Sequence, residues 1–148
     1  MKAFIFFLLL IYFTNCLRCS NKVEKYIFQK CGKQTVAKYE NNKWVIGCGL
    51  SDNDYSTIKK RIIQNTRERK NKIIKWHKKK IKGVIQPELN NYMNKFKWTQ
   101  NEYDALCIYG TNGHSVKEIC ENSNNKQEIE SKLRSPEKEI FKSGKYKF

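Results

Sequence analysis

Residues 58–85 read IKKRIIQNTRERKNKIIKWHKKKIKGVI, and between Lys59 and Lys82 twelve Lys and Arg side chains face a single acid, Glu68. Apolar residues recur at Ile58, Ile62 and Ile63, then at Ile73, Ile74, Trp76, Ile81, Val84 and Ile85. The step from Ile62 to Ile73 is eleven residues, about three helical turns, so both clusters fit one helix face. The spacing predicts a basic amphipathic helix. No aliphatic residue stands between Gln64 and Lys72, so a kink or a break into two shorter helices is the alternative to one long rod.

The chain on either side supplies the boundaries. Upstream, Ser51-Asp52-Asn53-Asp54 places a hydroxyl and acids where a helix start leaves free amides, so the basic helix is expected to begin near Asp54. Downstream, Gly83 ends or bends it, and Pro87, tolerated in a first turn, opens the next segment. Leu89, Tyr92, Met93 and Phe96 fall at helical spacing and read as core. Thr99 with Glu102, and Ser115 with Glu118, have the spacing of capping boxes. The first precedes Tyr103, Leu106, Cys107 and Tyr109, with a break expected at residues 110–113; the second precedes Ile119 and Cys120.

Closer to the N-terminus, β-favouring residues flank Glu40-Asn41-Asn42-Lys43. Asn tolerates positive φ, so this is a hairpin signal. A third strand is expected across residues 23–29 (VEKYIFQ), with a short helix as the alternative. Beyond Asn122 the chain turns polar, poor in aliphatics and interrupted by Pro136 and Gly144. Residues 123–148 are therefore expected to form a polar, largely disordered tail. The fold class is α+β and mostly helical: a small N-terminal antiparallel hairpin or sheet, then three or four helices.

Residues 1–16 read as a signal peptide: Lys2, an apolar run from Ala3 to Phe13, and Thr14-Asn15-Cys16 before the cut. That run is too short to span a bilayer, which takes about twenty residues. Residues 17–122 then form a single small secreted domain, an environment that permits disulfides supporting a modest core. Five cysteines remain after such a cut: Cys19, Cys31, Cys48, Cys107 and Cys120. Proximity in sequence suggests pairing Cys31 with Cys48 and Cys107 with Cys120, although spacing alone does not prove connectivity. The only C-x-x-C pair, Cys16 with Cys19, straddles the cut, so neither metal nor other cofactor is expected.

The formal net charge is +16, of which the leader holds only Lys2. Such a balance implies an anionic macromolecule as partner: nucleic acid, acidic glycan or acidic protein, with an anionic membrane surface as a further candidate and no small-molecule substrate. A chain rich in Lys, Asn and Ile also fits a coding bias towards A and T, but bias spreads charge, whereas here it clusters. The candidate binding surface is Lys59, Lys60, Arg61, Lys75, Trp76, Lys78, Lys79, Lys80 and Lys82, with Trp76 as an aromatic platform. Lys outnumbers Arg, which favours general attraction over base-specific bidentate reading.

Catalysis is not expected. His77 and His114 are the only histidines, and they invite a ribonuclease reading with one as acid and one as base. No recognisable motif surrounds either, and both read as surface residues. A membrane-active cationic helix is the other alternative. Residues 78–82, KKKIK, are a nuclear-import-like cluster. For an exported chain, import has meaning only in another organism's cell. A small exported basic chain of this kind is similar in layout to host-directed effectors of parasites and of sap- or blood-feeding animals.

Overall fold

The computed structural model describes residues 17–51, 54 and 70–147. The leader, the start of the basic helix beyond Asp54, its suspected break, and Lys59, Lys60 and Arg61 lie outside the described residues.

The fold is α+β and mostly helical. Helix α1 spans Asn21–Lys30 and runs into a 3-10 turn, Cys31–Lys33. The expected strand at residues 23–29 is therefore a helix. Val23, Tyr26 and Ile27 are its buried residues, and this i, i+3, i+4 stripe can face one core only if the segment coils. The hairpin is where the asparagines put it: β1, Lys38–Glu40, pairs antiparallel with β2, Lys43–Ile46, with Tyr39 opposite Trp44. Asn41 and Asn42 hold φ of 50° and 62°, the left-handed geometry of a two-residue hairpin loop. The third strand, β3, is Leu50–Ser51, antiparallel to β2.

Helix α2, Lys70–Lys80, is the wall between two hydrophobic clusters. Ile73 and Trp76 pack with Ile46 and Leu50 of the sheet. Ile74 and Ile81 face the larger cluster with Val23, Ile27 and Leu106. Gly83 does not end the helix. The chain continues as a π turn over Ile81–Ile85, closed by the Gln86 amide on the Ile81 carbonyl, and passes directly into α3, Gln86–Asn91. A π turn widens the helix, which accommodates the ring and missing N–H of Pro87 without a break. It also keeps Ile81, Ile85 and Leu89 buried while Val84 faces solvent.

Helices α4, Met93–Phe96, and α5, Gln100–Thr111, follow. A full capping box stands at the start of α5: Thr99 Oγ accepts from the Glu102 amide, and the Glu102 carboxylate accepts from the Thr99 amide. Helix α6, Val116–Glu121, has the Ser115 hydroxyl as its cap. The expectation of a disordered tail is corrected by α7, Lys126–Lys132, and α8, Ser135–Ser143. Ile129, Leu133, Ile140 and Phe141 join the main core. Four apolar residues are too few to announce a helix by composition, yet all four are buried, and α8 lies along α5.

A buried carboxylate ties the segments around Ser20 and Tyr146 to this body. Asp104, 2% exposed, accepts hydrogen bonds from the Ser20 amide at 3.0 Å, the Ser20 hydroxyl, Gln100 Nε2 at 2.9 Å and the Tyr146 hydroxyl at 3.3 Å. Burial, and next the Asp104 charge, push the Tyr146 phenol up, so it remains a donor.

The disulfides are Cys31–Cys48, as proximity suggested, and Cys19–Cys107. The expected bond between Cys107 and Cys120 is not formed. Cys107 sits on α5 where the residues before α1 cross it, and Cys120 is a buried free thiol. Burial pushes that thiol up to about 12, so it packs as a small apolar group.

Candidate anion-binding surface

Helix α2 reads KNKIIKWHKKK and contains no acidic residue. Its buried side takes Ile73, Ile74, Trp76 and His77. The opposite side carries Lys75, Lys78 and Lys79, and Lys82 continues the stripe on the π turn; all four are exposed. Positions 75, 78, 79 and 82 are spaced i, i+3, i+4, i+7, which stacks them on one face about 10 Å long. That length is close to the screening length of about 8–10 Å at moderate salt. The four side chains therefore lie close enough for their charges to act together along one face.

The other nominated residues are placed differently. Lys80 turns aside: its Nζ lies 3.2 Å from Asp54 Oδ1, with both side chains largely covered. Trp76 is 9% exposed and belongs to the cluster under the hairpin, so it is no stacking platform. It sits one helical step from the lysine face, and sequence adjacency to Lys75 concealed that it points inward.

The surface has a member that sequence reasoning missed. Arg18 and Lys82, with Lys78, rim a cavity of about 480 Å³ between the N-terminal segment and the π turn, with Glu24 as the acid beside them. Arg18 is sixty positions away from Lys78 in the chain, and only the fold brings it alongside. A second cationic contact is spent within the fold, since Lys70 Nζ lies 3.9 Å from the ring centre of the exposed Phe28.

The two histidines are not paired surface groups. His77 is 1% exposed. Its Nε2 accepts from the Cys48 amide at 3.1 Å, and its Nδ1 has no partner. Burial chiefly, then Lys80, lower its pKa to about 4, against an opposing pull from Asp54. The expectation of a surface histidine is thereby corrected, because burial is the main cause of the shift. His114 is half-buried and stacks on Tyr109 with ring centres 4.7 Å apart. Burial and Arg134 lower its pKa, with Glu137 opposing. It lines a different cavity, of about 610 Å³, with Glu118 and Lys132, and His77 is not on its walls.

Among the described residues no helix is long and apolar enough to cross a membrane. Comparison with family models, with curated proteins and with solved structures finds no match.

Proposed function

We propose that this is a small secreted cationic protein that binds anionic macromolecules without catalysis, with the α2 lysine stripe as its contact surface. The observation that carries the reading is the grouping of Lys75, Lys78, Lys79 and Lys82 on one exposed face of α2, whose described residues include no acid. Like charges at these spacings repel, by about 0.2–0.5 kcal/mol per neighbouring pair. Such repulsion is a cost to the fold, and a polyanion that displaces counterions relieves it. Nucleic acid or acidic glycan is the partner of matching chemistry, and delivery into a host cell, including its nucleus, belongs to this reading.

The membrane-active alternative is the weaker one. A lytic helix needs its apolar face for lipid, and here Ile73, Ile74, Trp76 and Ile81 are already committed to the two cores. The ribonuclease alternative needs two histidines converging on one substrate, and His77 has its Nε2 occupied by the Cys48 amide.

The test is the salt dependence of binding to duplex DNA, RNA and heparin. Four neutralised phosphates give a slope of log affinity against log salt of about −3 to −4 on DNA. Replacing Lys75, Lys78, Lys79 and Lys82 by Gln is expected to flatten the slope and weaken all three ligands alike. Binding unaffected by these substitutions would move the working surface elsewhere. Leakage of anionic vesicles at the same concentrations would favour the membrane reading. RNA degradation that disappears on replacing His77 and His114 by Ala would favour the enzyme.

A further inference from the structure

Three distant parts of the chain bring ligand-type atoms together beneath the hairpin. Cys31 follows α1, Cys48 lies in the β2–β3 turn, and His77 stands on the buried side of α2. Their two sulfurs and one ring nitrogen all lie within 4.8 Å of one another. The turn is shaped around the imidazole: Gly47 holds φ at +67°, and a Cβ there would lie 2.4 Å from His77 Nε2. The ring is buried with Nδ1 unpartnered and Nε2 satisfied by the Cys48 amide. A core histidine with a purely structural role normally has both nitrogens hydrogen-bonded.

We propose that reduction of the Cys31–Cys48 disulfide turns this cluster into a zinc site, with two thiolates and the His77 imidazole as protein ligands and water in the fourth position. The ring binds through Nε2, which releases the Cys48 amide, while Nδ1 keeps the ring proton. Thiolate and imidazole are the donors zinc prefers, and tetrahedral zinc with bonds of about 2.3 Å to sulfur needs its sulfurs about 3.8 Å apart. In the disulfide the two sulfurs are bonded to each other, so that separation has to come from side-chain rotation once the bond is broken, with the His77 ring already within 4.8 Å of both. The steps balance as follows. A dithiol reductant supplies two electrons and two protons, the S–S bond breaks to give two thiols, and the reductant closes to its own disulfide. Zinc(II) then displaces both thiol protons to solvent, and the site is electrically neutral. In an oxidising compartment the disulfide holds the end of α1 to the sheet. In a reducing one the metal takes over the same clamp.

The experiment uses the whole purified chain, oxidised or reduced by a phosphine, titrated with zinc chloride. Alkylation followed by peptide mass mapping is expected to show zinc protecting Cys31 and Cys48 in the reduced protein, while Cys19 and Cys107 still react. Binding by the oxidised protein is expected to be at least about 100-fold weaker, because its sulfurs offer no thiolate. His77→Gln is expected to weaken zinc binding by at least about tenfold in the reduced chain. Cobalt(II) in place of zinc is expected to develop a sulfur-to-metal charge-transfer band that C31S and C48S each abolish. If His77→Gln does not fold, the ring ¹⁵N shifts of His77 in the reduced wild-type chain replace it, and rings unmoved by zinc would overturn the site. Equal protection of all the cysteines, no protection, or identical binding by His77→Gln would overturn it as well.

Discussion

Helices α2 and α8 are both lysine-bearing helices with few apolar residues, and the fold treats them in opposite ways. In α8 charges of both signs alternate, and Lys142 reaches Glu130 across to α7 at 3.2 Å. Its charge serves the packing of two C-terminal helices, and its Ile140 and Phe141 are inserted in the main core. In α2 the apolar residues are equally committed, but Lys75, Lys78, Lys79 and Lys82 crowd together on one exposed face, and the described residues of that helix include no acid. Mixed charge in α8 is paired within the fold, whereas α2 gathers one sign on its exposed face.

The comparison breaks most severely at α8. Ile140 is 1% exposed, and Ile140→Ala is expected to lower unfolding free energy by about 2–5 kcal/mol in urea denaturation. A change below about 0.5 kcal/mol, typical of open surface, would return this segment to the status of a loose tail.

The hairpin side of α2 carries the next effect. His77 has its pKa lowered to about 4 when folded and recovers the ordinary value of about 6.5 when unfolded. The unfolded chain binds the proton first, so stability is full above about pH 6.5 and falls as pH drops towards 4. The loss accumulates to about 3 kcal/mol at low pH. Urea midpoints measured across this window check it, and His77→Gln is expected to remove that part of the slope.

Asp104 sharpens the C-terminal side. Asp104→Asn keeps the shape but gives up the charge that Ser20, Gln100 and Tyr146 address. A loss of about 1–3 kcal/mol is expected, with faster amide exchange at residues 18–20 as its local signature.

The smallest effect has the opposite sign. Replacing Lys75, Lys78, Lys79 and Lys82 by Gln removes mutual repulsion and is expected to leave stability unchanged or to raise it by up to about 1 kcal/mol. Thermal unfolding at low and high salt checks this, since screening is expected to erase the gain. A marked destabilisation would show that these lysines serve the fold as Lys142 does.

What local chemistry sets was legible in the residues. Asn41 and Asn42 turn the hairpin, Thr99 and Glu102 cap α5, and the recurrence of Ile73, Ile74 and Ile81 commits α2 to a core, because each depends on neighbours within a few positions. The sequence by itself also determined the excess of positive charge and its concentration in residues 59–82. Tertiary structure alone decided the rest. Burial of Val23, Tyr26 and Ile27 against a shared core made α1 a helix where β-favouring residues suggested a strand. Burial of Ile140 and Phe141 in the main core beside α5 ordered α8, although its composition resembled a tail. Cys107 bonded to Cys19 rather than Cys120 because pairing follows distance in space, and the crossing of the N-terminal segment over α5 sets that distance. His77, Cys31 and Cys48 likewise meet only once α1, the sheet and α2 are packed, and no spacing along the chain encodes that meeting.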